Sequence, residues 1–156
     1  MREATGSSML LYVVVIIVSV VMLLFVTIIS YAKAYGAKNK IISAIETYGG
    51  YNESSQKEIS ENLRQMGYTI TRNDSCSSAR VTAHLKDLGI TGDDTVNLNT
   101  SDGSKYNYCI YDVNKLNNGH YYLVVTFISY NIPVIGNTLL FPVYGETKTI
   151  QKSYDY

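Results

Sequence analysis

The chain has few of the residues on which enzymes and metal sites depend. Its 156 residues contain no tryptophan, two prolines, two cysteines and two histidines. His84 and His120 lie on separate predicted elements, without a partner at ligand spacing, which favours ordinary surface or strand positions over metal or catalytic roles. The motifs H-E-x-x-H, G-x-S-x-G, C-x-x-C and the P-loop are also absent from the sequence. We therefore predict that the protein is not an enzyme and has no cofactor or metal.

Charge shows no excess of either sign. Thirteen Lys and Arg residues balance thirteen Asp and Glu residues, so the formal net charge is zero. No long basic run occurs, which excludes the electrostatic footprint that nucleic-acid binding requires. An acidic solvating tail is absent as well. Neither a nucleic-acid partner nor a disordered charged tail is therefore expected.

The most apolar part of the chain is an unbroken run over residues 9–30, MLLYVVVIIVSVVMLLFVTIIS, with no charge and no proline. A helix of that length reaches about 33 Å, enough to cross the ~30 Å hydrocarbon core of a bilayer. A cleaved signal peptide is the alternative, because Ala32-Lys33-Ala34 supplies an A-x-A pattern. The apolar region of a signal peptide, however, is usually only about 7–15 residues long. We predict a retained membrane-spanning helix, preceded by a short flank over residues 1–8.

The helical pattern continues through residues 31–50, where apolar side chains recur at spacings of three and four. The predicted buried face consists of Ala34, Ala37, Ile41, Ala44, Ile45 and Tyr48. The opposite face carries Lys33, Lys38, Lys40, Ser43 and Glu46. Gly49-Gly50 is expected to end the helix. We therefore predict one long helix, lipid-like in its first half and amphipathic in its second half.

Shorter helices are predicted after the long one. Ser55 and Glu58 have the spacing of a capping box, so a helix is expected to start at Ser55 and to end at Gly67. Residues 79–88 fit either a strand or a short helix. Residues 92–104 are rich in turn-forming residues and predict a loop.

The C-terminal third predicts an antiparallel sheet. Strands are expected over residues 106–113, 120–130 and 139–150. Asn117-Asn118-Gly119 predicts a hairpin turn, because Asn and Gly tolerate the positive φ angles of tight turns. Pro142 has no backbone N–H to donate to a ladder, which favours an edge position for the third strand. The order of elements predicts an α+β fold, in which a globular domain over residues 51–156 packs its sheet on the long helix.

An oxygen-rich segment is a candidate metal site, and three glycosylation sequons are candidate modification sites. The oxygen ligands would come from Asp93, Asp94, Asn97, Asn99 and Asp102. Their spacing does not fit the EF-hand loop, which favours a solvated turn over a calcium site. The sequons begin at Asn52, Asn73 and Asn99. Such matches arise readily in a chain rich in Asn and Ser, so they predict no glycan on their own.

Cys76 and Cys109 are the only cysteines, and the residues alone leave two interpretations open. In an exported domain they would pair and close a loop of about 34 residues, worth ~3–4 kcal/mol in the chain-entropy model. In the cytoplasm they would be two buried reduced thiols. The distribution of charge favours the cytoplasm, because three lysines follow the span while Arg2 before it is offset by Glu3.

Both ends of the sequence resemble one family. Gly6-Ser7-Ser8 leads into the apolar helix and Tyr31-Ala32-Lys33 follows it. Near the C-terminus, the segments VVTFISYNIPVIGN and LLFPVYGETKTIQ give a β-prone strand ending in Tyr, an I-P-x-I-G connection and a Thr-rich final strand. This combination resembles the TadE-like pseudopilins of the tight-adherence (Tad) pilus systems, which are type IV pilin-like proteins. The resemblance covers roughly residues 6–48 and 122–151.

The resemblance implies a pilin-like subunit or assembly component whose partners are the lipid bilayer and other pilin-like subunits. It also implies that the globular domain lies outside the cytoplasm, which agrees with a Cys76–Cys109 disulfide. A prepilin peptidase would cut between Gly6 and Ser7. Leu11 departs from the family, which commonly has a Glu at the fifth mature position to pair with a neighbouring subunit's amine. A membrane-resident accessory or minor subunit is therefore favoured over the core of a filament.

Two other classes of function stay open at this point. A single-pass binding or sensing ectodomain would use tyrosine-rich strand faces to contact its partner, since the chain has fifteen Tyr against three Phe. A membrane-tethered enzyme would need a pocket with converging titratable groups, and the sequence offers no set of them.

Overall fold

The fold consists of one long helix, two short helices and a small antiparallel sheet. The computed structural model describes residues 2–68, 76, 78–90, 95–97, 108–115, 119–131 and 138–151. The helices are α1 (Arg2–Thr47), α2 (Glu53–Gln65) and α3 (Ala79–Asp87). The strands are β1 (Thr95–Asn97), β2 (Cys109–Lys115), β3 (Gly119–Asn131), β4 (Thr138–Glu146) and β5 (Ile150–Gln151). This is the predicted α+β architecture.

Helix α1 is continuous over 46 residues, so it is about 69 Å long at 1.5 Å per residue. Between Met9 and Ile29 it consists almost entirely of exposed apolar side chains, whereas its last third is amphipathic. Ala34, Ala37 and Ile41 are among the side chains of that last third that are completely buried. The helix ends at Thr47, just before the predicted stop at Gly49, whose φ of 65° is a conformation that glycine adopts without strain.

The sheet has the order β1-β2-β3-β4 with antiparallel neighbours, and β3 is its longest strand. Tyr111 of β2 lies opposite Leu123 of β3, and Val125 of β3 lies opposite Tyr144 of β4. Among the described strands, β4 pairs only with β3, so Pro142 lies on an edge strand as predicted.

The sheet lies between two layers, because side chains alternate between its faces. Thr126 of β3 points to one face, where its hydroxyl donates to the Ala34 carbonyl of α1 at 3.0 Å. Tyr111 points to the other face, where its hydroxyl donates to the Cys76 carbonyl at 2.9 Å. Helix α1 therefore covers one face, and Cys76 lies against the other.

Three sequence-based predictions in this region were wrong in detail. Helix α2 begins before Ser55: Asn52 is the N-cap, its side chain accepts from the Ser55 N–H at 2.9 Å, and Ser55 is the third helical residue. The capping box is therefore formed by Asn52 and Ser55, and not by the predicted pair Ser55 and Glu58, so the N-cap lies three residues earlier than predicted. Residues 92–104 were predicted as a loop, yet β1 lies within them, since its backbone pairs with β2. Tyr48 is 42% exposed instead of buried, because α1 has already ended at Thr47.

The predicted strand over residues 139–150 is interrupted by a one-residue bulge. Glu146 lies opposite Leu123, and Ile150 lies opposite His120, so three residues of one strand face two residues of β3. Thr147 keeps the connection by bonding both the N–H and the carbonyl of Tyr122. The bulge turns the Lys148 N–H outward, where it donates to the Glu46 carboxylate at 2.9 Å. The bulge thus ties the sheet to the end of α1.

Candidate membrane anchor and its junction with the domain

Residues 9–29 of α1 form the largest exposed apolar surface that the structure describes. Large side chains between Met9 and Ile29 have exposed fractions from 43% at Val21 to 70% at Met9. An 18-residue stretch of the helix has a mean hydropathy of 3.2, and none of that stretch is buried. Each such side chain left in water forgoes roughly 1.5–3 kcal/mol relative to burial. The segment is therefore long and apolar enough to span a membrane, and it is unsuited to water.

Two polar side chains of this segment, Ser19 and Thr27, are satisfied within the helix. The Ser19 hydroxyl donates to the Val15 carbonyl at 2.8 Å, and the Thr27 hydroxyl donates to the Leu23 carbonyl at 2.8 Å. A hydroxyl that bonds its own helix carries no unmet donor into hydrocarbon. These two hydroxyls are thus compatible with surrounding lipid.

Aromatic and basic side chains follow directly after the apolar segment. The rings of Tyr31 and Tyr35 stack with centroids 6.0 Å apart, and the Lys38 ammonium lies 4.0 Å from the centroid of the Tyr35 ring. Tyrosine and lysine are enriched where helices leave the hydrocarbon, because each has an apolar stem and a polar tip. This cluster marks one expected boundary of the bilayer at residues 31–38.

Small side chains let the last third of α1 lie close against the sheet and α2. Ala34, Ala37 and Ala44 are completely buried, and Gly145 of β4 has room only for hydrogen. A Cβ atom at Gly145 would come within 2.6 Å of Lys38 Cδ and within 2.8 Å of Ile42 Cδ1. The packing therefore fixes the domain on the helix immediately beyond the apolar segment.

The Tyr68 side chain bonds the backbone of β3 near the C-terminal end of that strand, beyond the part that pairs with β2. Strand β2 begins at Cys109 opposite Val125, so it does not reach Phe127. The Tyr68 hydroxyl accepts from the Phe127 N–H at 2.8 Å and donates to the Phe127 carbonyl at 3.2 Å. Gly67, with a φ of 61°, turns the chain at the end of α2 so that Tyr68 reaches this position. Burial raises the pKa of Tyr68 well above its ordinary value near 10, since a buried phenolate would lose its hydration.

A pocket of about 210 Å³ lies at the junction between the apolar segment and the domain. Helix α1 contributes Ile29, Ser30 and Lys33 to its walls. The domain contributes Gly67, Tyr68, Phe127 and Ser129. The pocket therefore opens at the level where the apolar segment gives way to polar residues. No motif in the sequence indicated it, because its walls come from three separate parts of the chain.

The structure joins Cys76 and Cys109 in a disulfide with Cα atoms 5.8 Å apart, as the exported alternative predicts. Cys109 is the first residue of β2, and the Cys76 carbonyl accepts from Tyr111 on the same strand. The bond therefore attaches Cys76 to the sheet face opposite α1.

The histidines lie on different faces of the sheet. The His84 ring of α3 lies against the Tyr144 ring, with centroids 3.9 Å apart. His120 is 8% exposed on β3 and meets the Tyr122 ring edge-on at 5.3 Å.

Over the described residues, two buried side-chain atoms, His120 Nδ1 and Asp112 Oδ1, have no hydrogen-bond partner. Within the same residues, no three His, Cys, Asp or Glu side chains lie close enough together to bind a metal ion. Sequence reasoning did not single out Asp112.

The remaining sequence-based sites fall in several places. Gly6 and Ser7 lie within α1, and Leu11 is 62% exposed on the same helix. Of the possible calcium ligands, only the backbone of Asn97 is described, in β1, and the other four residues lie outside the described ranges. Among the sequons, Asn73 and Asn99 also lie outside them. The Asn52 side chain is engaged as the α2 cap and also donates to the Tyr48 carbonyl at 3.1 Å, so a glycan there would disrupt the cap.

Comparison with protein families, with curated proteins and with solved structures finds no match to this chain.

Proposed function

We propose that this chain is a non-enzymatic, membrane-anchored pilin-like subunit or assembly component of a Tad or type IV-like surface pilus. The supporting observation is the division of α1 into an exposed apolar segment and a buried extension that seats an antiparallel sheet. Such a helix is stable either in lipid or against other apolar helices, so transfer between these environments requires little net hydrophobic driving force. A single apolar anchor therefore suits a subunit that is stored in a membrane and assembled from it.

The proposal places the globular domain outside the cytoplasm. The Cys76–Cys109 disulfide supports this orientation, because disulfides persist in oxidising compartments. Protease added to intact cells, with any outer barrier permeabilised, tests it. We expect digestion of the domain, with protection of a fragment that contains residues 9–30. Full protection of the domain would contradict the orientation and would agree with the lysine count instead.

The pilus assignment is tested by shearing surface material from cells and measuring the intact mass of the chain in the sheared and membrane fractions. The polymer form predicts the chain in sheared filaments with Ser7 as its first residue. A Gly6→Ile variant is expected to block the cut, whereas Ser8→Ala serves as the matched control and leaves it unchanged. Met1 retained and the chain found only in membranes would exclude the polymer form, leaving an uncleaved assembly component.

A further inference from the structure

The junction pocket presents hydrogen-bond donors that the protein itself does not use. Within the described part of the chain, the Lys33 ammonium and the Ser30 hydroxyl have no hydrogen-bond or ion-pair partner. None of the described side chains in the pocket wall is a carboxylate. One positive charge and one hydroxyl donor beside a cavity of about 210 Å³ suit a singly charged anion with several acceptor oxygens.

The height of the pocket along α1 indicates where such an anion would come from. Ile29 ends the exposed apolar segment and also lines the pocket, so the cavity opens at the expected surface of the hydrocarbon. Side chains on a helix lean toward its N-terminus, which tilts Lys33 back toward this surface. Phospholipid phosphates lie at that level. Ile29 supplies an apolar wall against which a glycerol backbone and its first acyl carbons pack.

We propose that the junction pocket binds the headgroup of an anionic phospholipid, with Lys33 paired to the phosphodiester and Ser30 donating to one of its free oxygens. The inference rests on the proposed membrane anchor but not on the pilus assignment. A bound headgroup would fix the height and tilt of the domain above the bilayer, because one wall of the pocket is α1 and the other is β3 and the end of α2.

The test uses the full chain reconstituted in phosphatidylcholine vesicles that contain trace spin-labelled lipid. The fraction of motionally restricted label is compared for phosphatidylglycerol and phosphatidylcholine. A basic residue near a membrane surface favours an anionic lipid by about five-fold. We therefore expect the protein to prefer phosphatidylglycerol by roughly that factor, and Lys33→Gln to reduce the preference to near one.

Lys40→Gln is the matched control, since Lys40 is also exposed on α1 and lies about 10 Å farther from the apolar segment. It is expected to keep most of the preference. Ser30→Ala, which leaves the charge unchanged, should lower the preference partially. An equal loss in both lysine variants, or no preference in the unaltered chain, would overturn the proposal.

Two further measurements distinguish a lipid headgroup from a free anion, and a failure of the headgroup site from a failure of the membrane anchor. Replacing chloride by inorganic phosphate at equal ionic strength should leave the preference intact. If phosphate abolishes it, the site takes a free anion and the proposal is wrong. Flotation of each variant with the vesicles reports anchoring separately. A chain that does not float contradicts the membrane anchor itself, whereas a floating Lys33→Gln chain that keeps the wild-type preference contradicts only the headgroup site.

Discussion

Replacing Tyr68 by Phe tests whether a single hydroxyl secures the C-terminal part of β3. The substitution keeps the ring and removes the oxygen that bonds both the N–H and the carbonyl of Phe127. Tyr68 and Phe127 are 4% and 2% exposed, so the two backbone groups would lose these hydrogen bonds in a buried setting. Each stranded group costs roughly 1–3 kcal/mol, and water entering the adjacent pocket offsets part of this cost. We expect a loss of about 2 kcal/mol in the free energy of unfolding.

The assay is urea unfolding of the full chain in detergent with the disulfide intact, followed by circular dichroism. Tyr31→Phe is the control, because Tyr31 is 52% exposed and lies outside the packed domain. Its free energy of unfolding should stay within about 0.5 kcal/mol of the unaltered chain. If Tyr68→Phe were equally neutral, the hydroxyl would not hold the strand end and this reasoning would fail.

The same variant has a predicted signature at alkaline pH. The pKa of Tyr68 is raised in the folded protein, so the folded state retains a proton that the unfolded chain releases above its ordinary pKa near 10. Stability is therefore lost as pH rises from about 10 toward the folded pKa, by up to about 1.4 kcal/mol per pH unit. Tyr68→Phe removes this contribution, so its stability should fall less steeply between about pH 10 and 11. Parallel curves for the two proteins would contradict the assignment.

Three further predictions concern the rest of the domain. Reduction of the Cys76–Cys109 bond, which spans 33 residues of sequence, should lower stability by about 3–4 kcal/mol, measured by urea unfolding with and without reductant; a change below about 1 kcal/mol would contradict the loop-closure argument. Asn52→Ala should cost about 1 kcal/mol through loss of the α2 cap, with Asn52→Asp, which preserves capping, as the control. Gly145→Val should cost about 1–3 kcal/mol through overpacking against Lys38 and Ile42, and a neutral result would show that α1 moves freely on the sheet.

The hydrophobic pattern of the sequence was sufficient to predict the helices and strands in which that pattern extends over many residues. Helix α1 and strand β3 could be predicted because their hydrophobic patterns extend over many residues, and the buried face at Ala34, Ala37 and Ile41 follows helical spacing. Strand β1 was missed because three residues carry too little periodicity, and its pairing with β2 decides its conformation. The α2 start was misplaced because Asn and Ser both cap helices, and the choice between them depends on the turn after Gly49.

The site features could be predicted only in part. The apolar segment and the cysteine pair are visible as composition and count. The Tyr68 bond joins residues 59 positions apart in sequence, the junction pocket joins residues as far apart as Ile29 and Ser129, and no short motif records such arrangements. Asp112 lies on β2 and His120 on β3, so the burial of Asp112 Oδ1 and His120 Nδ1 likewise depends on the β2–β3 register.

The central claim is that the exposed apolar segment of α1 resides in a lipid bilayer and anchors the domain to it. Extraction of membranes from cells that produce the full chain, first with alkaline carbonate and then with detergent, tests this claim most directly. We predict that carbonate leaves the chain in the membrane pellet and that detergent releases it. Recovery of the intact chain in the carbonate supernatant, with residues 9–30 still present by mass, would contradict the account.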